Sequence, residues 1–238
     1  YIDGDEKPST QSNNTSQTDF AYDIGVPDRI GRARDGIDRH FTGGLIDEFR
    51  AYDRTLNISE ILLLSQKPSA LSSGLLAHFK FDGNTNDSSG NGHNGSEFGT
   101  PSYVSGINGD AISLNGSSDY VELNTKLPIT DFPFTISMWF NVDGTQLDEQ
   151  TLYASDRWDH YWGVYKGVSI HADSNGSIRA GFGLSGNTSH RQYSTASNTY
   201  QNNTWHQVTV TFSSPDDINI YIDGDEKPST QSNNTSQT

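Results

Sequence analysis

Asp82, Asn84 and Asp87 sit at alternating or near-alternating positions of a glycine-rich stretch, Phe81-Asp-Gly-Asn-Thr-Asn-Asp-Ser-Ser-Gly-Asn-Gly-His-Asn-Gly95. Such a stretch can fold back so that hard oxygens converge. Calcium takes roughly six to eight of them, from carboxylates, amides and backbone carbonyls. Backbone oxygens near Asn91 and His93 extend the set. The spacing is not that of an EF-hand, and Asp and Asn build turns in most loops, so turn formation accounts for the same residues. A second concentration of chemistry is Asp156-Arg-Trp-Asp-His-Tyr-Trp162. Trp158 and Tyr161 offer faces on which a pyranose stacks, with Arg157, Asp159 and His160 available to its hydroxyls. Exposed aromatics equally make protein interfaces, and Trp139, Trp162 and Trp205 are expected in the core. The most basic stretch, Arg32 to His40, reads as a salt-bridged loop.

Little here points to catalysis. Asp47 and Glu48 are the adjacent carboxylates of a strand pattern. Neighbours on a strand point to opposite faces, so they are not expected to serve as the paired acids of a glycosidase. The sequence contains no Gly-x-Ser-x-Gly elbow, phosphate-binding loop or paired-histidine metalloprotease pattern. Its seven histidines show no zinc-type spacing. A non-enzymatic role is the expectation.

Composition narrows the partners. The net charge of −15 over 238 residues repels nucleic acid and anionic membranes and favours divalent cations. Without cysteine, neither disulfides nor thiol chemistry can operate. No run approaches the ~20 apolar residues of a membrane helix, and no segment resembles a signal peptide. Because Tyr1 already lies in a strand pattern, the chain reads as cut from a longer, exported polypeptide.

Residues 1–18, YIDGDEKPSTQSNNTSQT, recur unchanged as residues 221–238. Self-similarity at a fixed offset marks a repeat architecture, here with a whole domain as its unit. An engineered circular permutation with overlapping ends would look the same. Either way the domain order is 74–238 followed by 19–73, with residues 1–73 closing one unit and 74–238 opening the next. The seam is Gln66-Lys-Pro-Ser-Ala-Leu-Ser-Ser-Gly74. Residues 19–73 are expected to dock onto 74–238 as one sandwich. The two copies then compete for one slot, so strand exchange or run-on assembly with neighbouring copies is expected.

Period-2 alternation in Phe134–Val142, His206–Phe212 and Ile218–Ile222 predicts half-buried antiparallel strands. Further strands are predicted at Leu45–Tyr52, Leu76–Phe81, Ala111–Leu114, Gly163–Ile170 and Ser177–Gly183. Ile58–Gln66 is the one helical segment, with Asn57 or Ser59 as its cap and Leu62, Leu63 and Leu64 as its apolar content. The polar runs Asn84–Gly95, Gly183–Asn203 and Pro228–Thr238 read as loops or, for the last, disordered chain. The fold class is all-β, a two-sheet antiparallel sandwich with one short helix.

Residues 75–95, LLAHFKFDGNTNDSSGNGHNG, resemble the opening signature of laminin-G-like jelly-roll domains of the concanavalin A-like lectin/glucanase superfamily. Leu114–Val121, Phe134–Val142, Asn203–Val208 with Tyr221–Gly224, and Phe41–Leu56 resemble later strands of that family, in its order, once the chain is read from 74 to 238 and on from 19 to 73. The resemblance implies a concanavalin A-like jelly roll, a structural Ca2+ and a binding role. It also implies Asp47, in the closing strand, as a distant calcium ligand. The expected function is a non-catalytic repeat module of a secreted bacterial surface adhesin, a calcium-stabilised structural or adhesive unit with possible glycan binding. The alternative is a carbohydrate-binding lectin module appended to an extracellular enzyme.

Overall fold

The computed structural model describes residues 27–33, 41, 43–66, 71–144, 150–155, 157–159, 164–173, 175–183 and 191–234, with 157–159, 164–166, 191–193 and 231–234 described by backbone alone. In chain order the strands are β1 (Arg29–Ile30), β2 (Gly44–Tyr52), β3 (Leu75–Phe79), β4 (Gly95–Phe98), β5 (Ser102–Ser105), β6 (Asp110–Leu114), β7 (Tyr120–Leu123), β8 (Phe134–Val142) and β9 (Gln150–Ala154). They continue as β10 (Arg157–Asp159), β11 (Val164–Lys166), β12 (Val168–Ala172), β13 (Ile178–Gly183), β14 (Arg191–Ala196), β15 (His206–Ser214), β16 (Asp217–Ile222), β17 (Asp225–Lys227) and β18 (Thr230–Asn234). One helix, α1 (Ile58–Gln66), lies between β2 and β3.

Two antiparallel sheets form a sandwich. The first has the order β18-β14-β13-β12-β9-β1-β7-β4; the second has β17-β16-β15-β8-β2-β6-β5, with β3 also pairing β2. The alternating strands supply the core between them. Met138 and Phe140 of β8, Val208 and Val210 of β15, and Ile170 and Ala180 of the opposite sheet are all fully buried. Aromatic rings bridge the gap, Phe49 to Tyr153 at 5.3 Å and Phe182 to Phe212 at 6.4 Å between centroids. Trp139 falls between the inward Met138 and Phe140, so it faces outward and is only half-buried. Trp205 is half-buried too. Neither is the core residue its size suggested, because strand alternation sets the direction of a side chain.

β2, from the early part of the chain, lies in the middle of the second sheet, pairing with β8 from Gly44↔Val142 to Tyr52↔Thr135. Helix α1 starts at Asn57, whose Oδ1 accepts from the Glu60 N–H while the Glu60 carboxylate accepts from the Asn57 N–H. That reciprocal pair is a capping box. Ile61 and Leu64 pack on Tyr52, Leu56 and Tyr221, covering part of the outer face of the second sheet. Leu62 and Leu63 are exposed, since consecutive helical residues are about 100° apart and cannot share one face.

Two predicted loops contain strands. β14 lies within 183–203 and β18 within 228–238, and they pair with each other from Arg191↔Asn234 to Thr195↔Thr230. β18 is an edge strand, which needs no large apolar residues, so a polar sequence conceals it. The predicted strand 163–170 is split into β11 and β12 around Gly167.

Candidate ligand-binding cleft

The free edge of β2 is divided between two partners. Gly44–Ile46 pair with β6, whereas Phe49–Tyr52 pair with β3. Asp47 and Glu48 fall in the gap, where the pairing with β8 also slips between Asp47 and Arg50. Such a bulge re-aims side chains. Glu48 is its left-handed residue, at φ 52, a conformation that costs a non-glycine residue roughly 1–2 kcal/mol.

The Glu48 side chain offsets that cost. Its Oε1 accepts from Asn108 Nδ2 at 2.9 Å, and its Oε2 lies 2.6 Å from both Arg50 Nη2 and His78 Nε2. Burial pushes its pKa up, but the His78 bond, the Arg50 charge and the Asn108 amide outweigh burial and hold the carboxyl below its usual range. Asp47 behaves in the opposite way. Burial, with the Glu48 charge beside it, raises its pKa to about 7 against the backbone donors Asn108 and Ile107. The two adjacent carboxylates therefore meet on one residue, Asn108, and the expectation that they diverge fails because the bulge interrupts alternation.

The turn between β5 and β6 is held by aspartates from two directions. Asp47 Oδ2 accepts from the Ile107 and Asn108 N–H groups, and Asp82 Oδ1 accepts from Asp110 N–H. A Cβ at Gly106 would collide with Asp47 Oδ2 and one at Gly109 with Asp82 Oδ1, so both positions require glycine.

Beside this cluster, on the outer face of the second sheet, lies a cleft of about 420 Å3. Glu48, Arg50 and His78 line it from β2 and β3, Ser88 and Ser89 from the 81–95 loop, and Asn108 from the β5–β6 turn. Leu71 and Leu75 add an apolar wall and Lys80 a cation. Among the described residues the Arg50 side chain makes one hydrogen bond, to Glu48, and its other nitrogens open onto the cleft. The seam read as a linker thus contributes Leu71 and Ser72 to a cleft wall.

The Laminin_G_3 family model, of the concanavalin A-like lectin/glucanases superfamily, matches residues 115–238, just over half of the chain. The chain belongs to that superfamily. No curated protein and no solved structure matches it. The match begins directly after β6, and the strands that precede it complete both sheets of this concanavalin A-like sandwich.

Within the concanavalin A-like fold, the loop residues expected around a metal brace their own loop and tie it to the backbone of β3. Asp87 Oδ1 accepts from the His78 and Ser89 N–H groups, while its Oδ2 accepts from Ser89 Oγ and His93 N–H. These bonds outweigh burial and lower its pKa. Asn91 Nδ2 donates to the Leu75 and Leu76 carbonyls. Asn84 donates to the Asp82 carbonyl and accepts from Asn86 N–H, and the His93 ring lies 3.3 Å from the Thr125 carbonyl. Among the described residues no three His, Cys, Asp or Glu side chains gather as a metal would need. Asp47 differs from the rest: its Oδ1 is buried without a hydrogen-bond partner.

Arg157, Trp158 and Asp159 form β10, which pairs with β11 as a two-stranded ribbon. His160 and Tyr161 lie outside the described residues, as do residues 34–40 of the basic stretch and the first copy of the duplicated segment, 1–18. Sequence reasoning missed Arg50, His78 and Asn108 as site residues. The Asp47-Glu48 pair was a visible signal, but its meaning depended on the bulge.

Proposed function

We propose that the chain is a non-catalytic binding module, a repeat unit of a secreted bacterial surface adhesin that engages a glycan through the cleft over β2 and β3. The observation that carries this reading is the cleft floor, an arginine whose donors not bonded to Glu48 open onto the cleft, beside a carboxylate that already receives three. Hydroxyl and amide groups on the walls suit a polyhydroxylated ligand. Glu48, held ionised, is poorly suited to donate a proton to a leaving group, and Asp47 is fully buried behind it. Both features favour binding over hydrolysis.

Calcium belongs to the same proposal. The buried, donor-free Oδ1 of Asp47 suits a hard cation, with Asp82 on the other side of the 106–109 turn as a second oxygen source. Asp87 fits poorly, because both of its oxygens are filled by donors. When bound, the ion would neutralise the buried carboxylate and brace the turn. Partnership with neighbouring copies is supported by the duplicated segment, since residues 221–234 build the end of β16, β17 and β18, and residues 1–18 carry the same sequence.

A glycan array probed in millimolar calcium and in chelator tests the reading, with Lys80→Ala for the cleft and Trp158→Ala for the ribbon. Binding lost in Lys80→Ala and kept in Trp158→Ala is the expected result. Binding lost only in Trp158→Ala moves the site to the ribbon, and binding to no glycan leaves a spacer.

A further inference from the structure

We infer that the cleft selects a carboxylated sugar, such as a terminal uronate, with Arg50 and Lys80 receiving its carboxylate. The inference rests on the glycan-binding reading of the same cleft and adds the class of ligand.

Arg50 provides the main argument. A guanidinium carries five N–H donors and keeps its charge at any accessible pH, so donors that open onto a cleft are available to a ligand. Arg50 spends one donor on Glu48, and its other guanidinium nitrogens are not among the sealed-off polar atoms, so they open onto the cleft that Arg50 lines. Glu48 is shared with His78 and Asn108. Lys80, on the same cleft, is exposed and makes no ion pair among the described residues. Arg50 and Lys80 line the cleft with a single carboxylate, Glu48, leaving a cationic surplus there in a protein whose net charge is −15. A planar carboxylate matches that surplus, since guanidinium binds it through parallel N–H···O bonds.

The walls identify what carries the carboxylate. Ser88, Ser89 and Asn108 present small polar groups, and Leu71 and Leu75 offer a limited apolar wall for the C–H face of a ring. About 420 Å3 lies at the lower end of the roughly 300–1,000 Å3 of small-molecule sites, suited to one terminal sugar and not to a long chain. A peptide C-terminus would need a pocket for its last side chain, which these hydroxyl-rich walls do not favour.

Calorimetric titration of the full chain with methyl glucuronide, methyl glucoside and a short peptide bearing a free C-terminus tests the inference. Glucuronide should bind at least tenfold more tightly than either competitor. Lys80→Glu, at an exposed position, should weaken that binding at least threefold, and Arg50→Gln should abolish it. Should Arg50→Gln fail to fold, Lys80→Glu alone decides. Glucoside or peptide binding as tightly as glucuronide, or glucuronide binding unchanged in Lys80→Glu, overturns the inference while leaving a binding module. Absence of binding by any saccharide overturns both.

Discussion

Glu48 occupies a left-handed backbone position because its carboxylate ties three groups together, so removing its charge should be costly. With Glu48→Gln, Arg50 stays buried without its counter-charge, and breaking a buried pair typically costs about 3–5 kcal/mol. A urea midpoint lowered to that extent is expected; an unchanged midpoint would show that the strand, and not the ion cluster, holds the bulge. Asp28, like Asp47, is a buried carboxylate whose sign is opposite. Burial raises its pKa to about 7, against the Leu127 N–H bond and the Lys126 charge. Between the usual carboxylate range and about pH 7, the folded chain therefore holds a proton that the unfolded chain has lost. Its contribution to stability falls as pH rises through that window and levels off above it, with a limiting slope of about 1.4 kcal/mol per pH unit. Melting curves from pH 5 to 8 should show a loss that Asp28→Asn reduces without abolishing, since Asp47 is raised to about 7 too.

At the scale of elements, α1 links the end of β2 to the outer face of the second sheet, and it depends on its first turn. Asn57→Ala removes half of the capping box and should cost about 1 kcal/mol, measured by denaturant unfolding. Ser59→Ala should cost less than half as much, since Asn57 is the cap. The Arg54–Glu60 pair, forked at 2.8 and 2.7 Å, ties the same turn to the chain leaving β2. α1, β8, β15 and β16 were legible because each has a local signal: a cap with a helical run, or alternation. β14 and β18 were not, since their polar side chains resemble loop and only their pairing makes them strands.

For the whole molecule, β2 is the keystone of the second sheet, so the segment around it cannot be removed without opening the sandwich. The two identical segments should behave very differently. Residues 221–234 complete β16 and form β17 and β18, so deleting residues 1–18 should move the melting temperature by no more than about 2 °C, whereas deleting residues 223–238 strips an edge from each sheet. If copies exchange this segment, the full chain should form concentration-dependent oligomers in sedimentation that the variant lacking residues 1–18 does not form. Failure to associate at high concentration would limit the duplication to its role in sequence.

The sequence by itself determined the all-β class, the main strands, the single helix and the family, because alternation, caps and turn residues act over a few neighbours. It also placed Asp47 and Glu48 side by side and left them, by the rule of alternation, on opposite faces. Only the tertiary structure decided otherwise. β6 and β3, both from later in the chain, share one edge of β2 and leave a gap between them, and the bulge in that gap turns Glu48 toward Arg50, His78 and Asn108. The cleft arises from that division of an edge, which depends on contacts between segments distant in sequence.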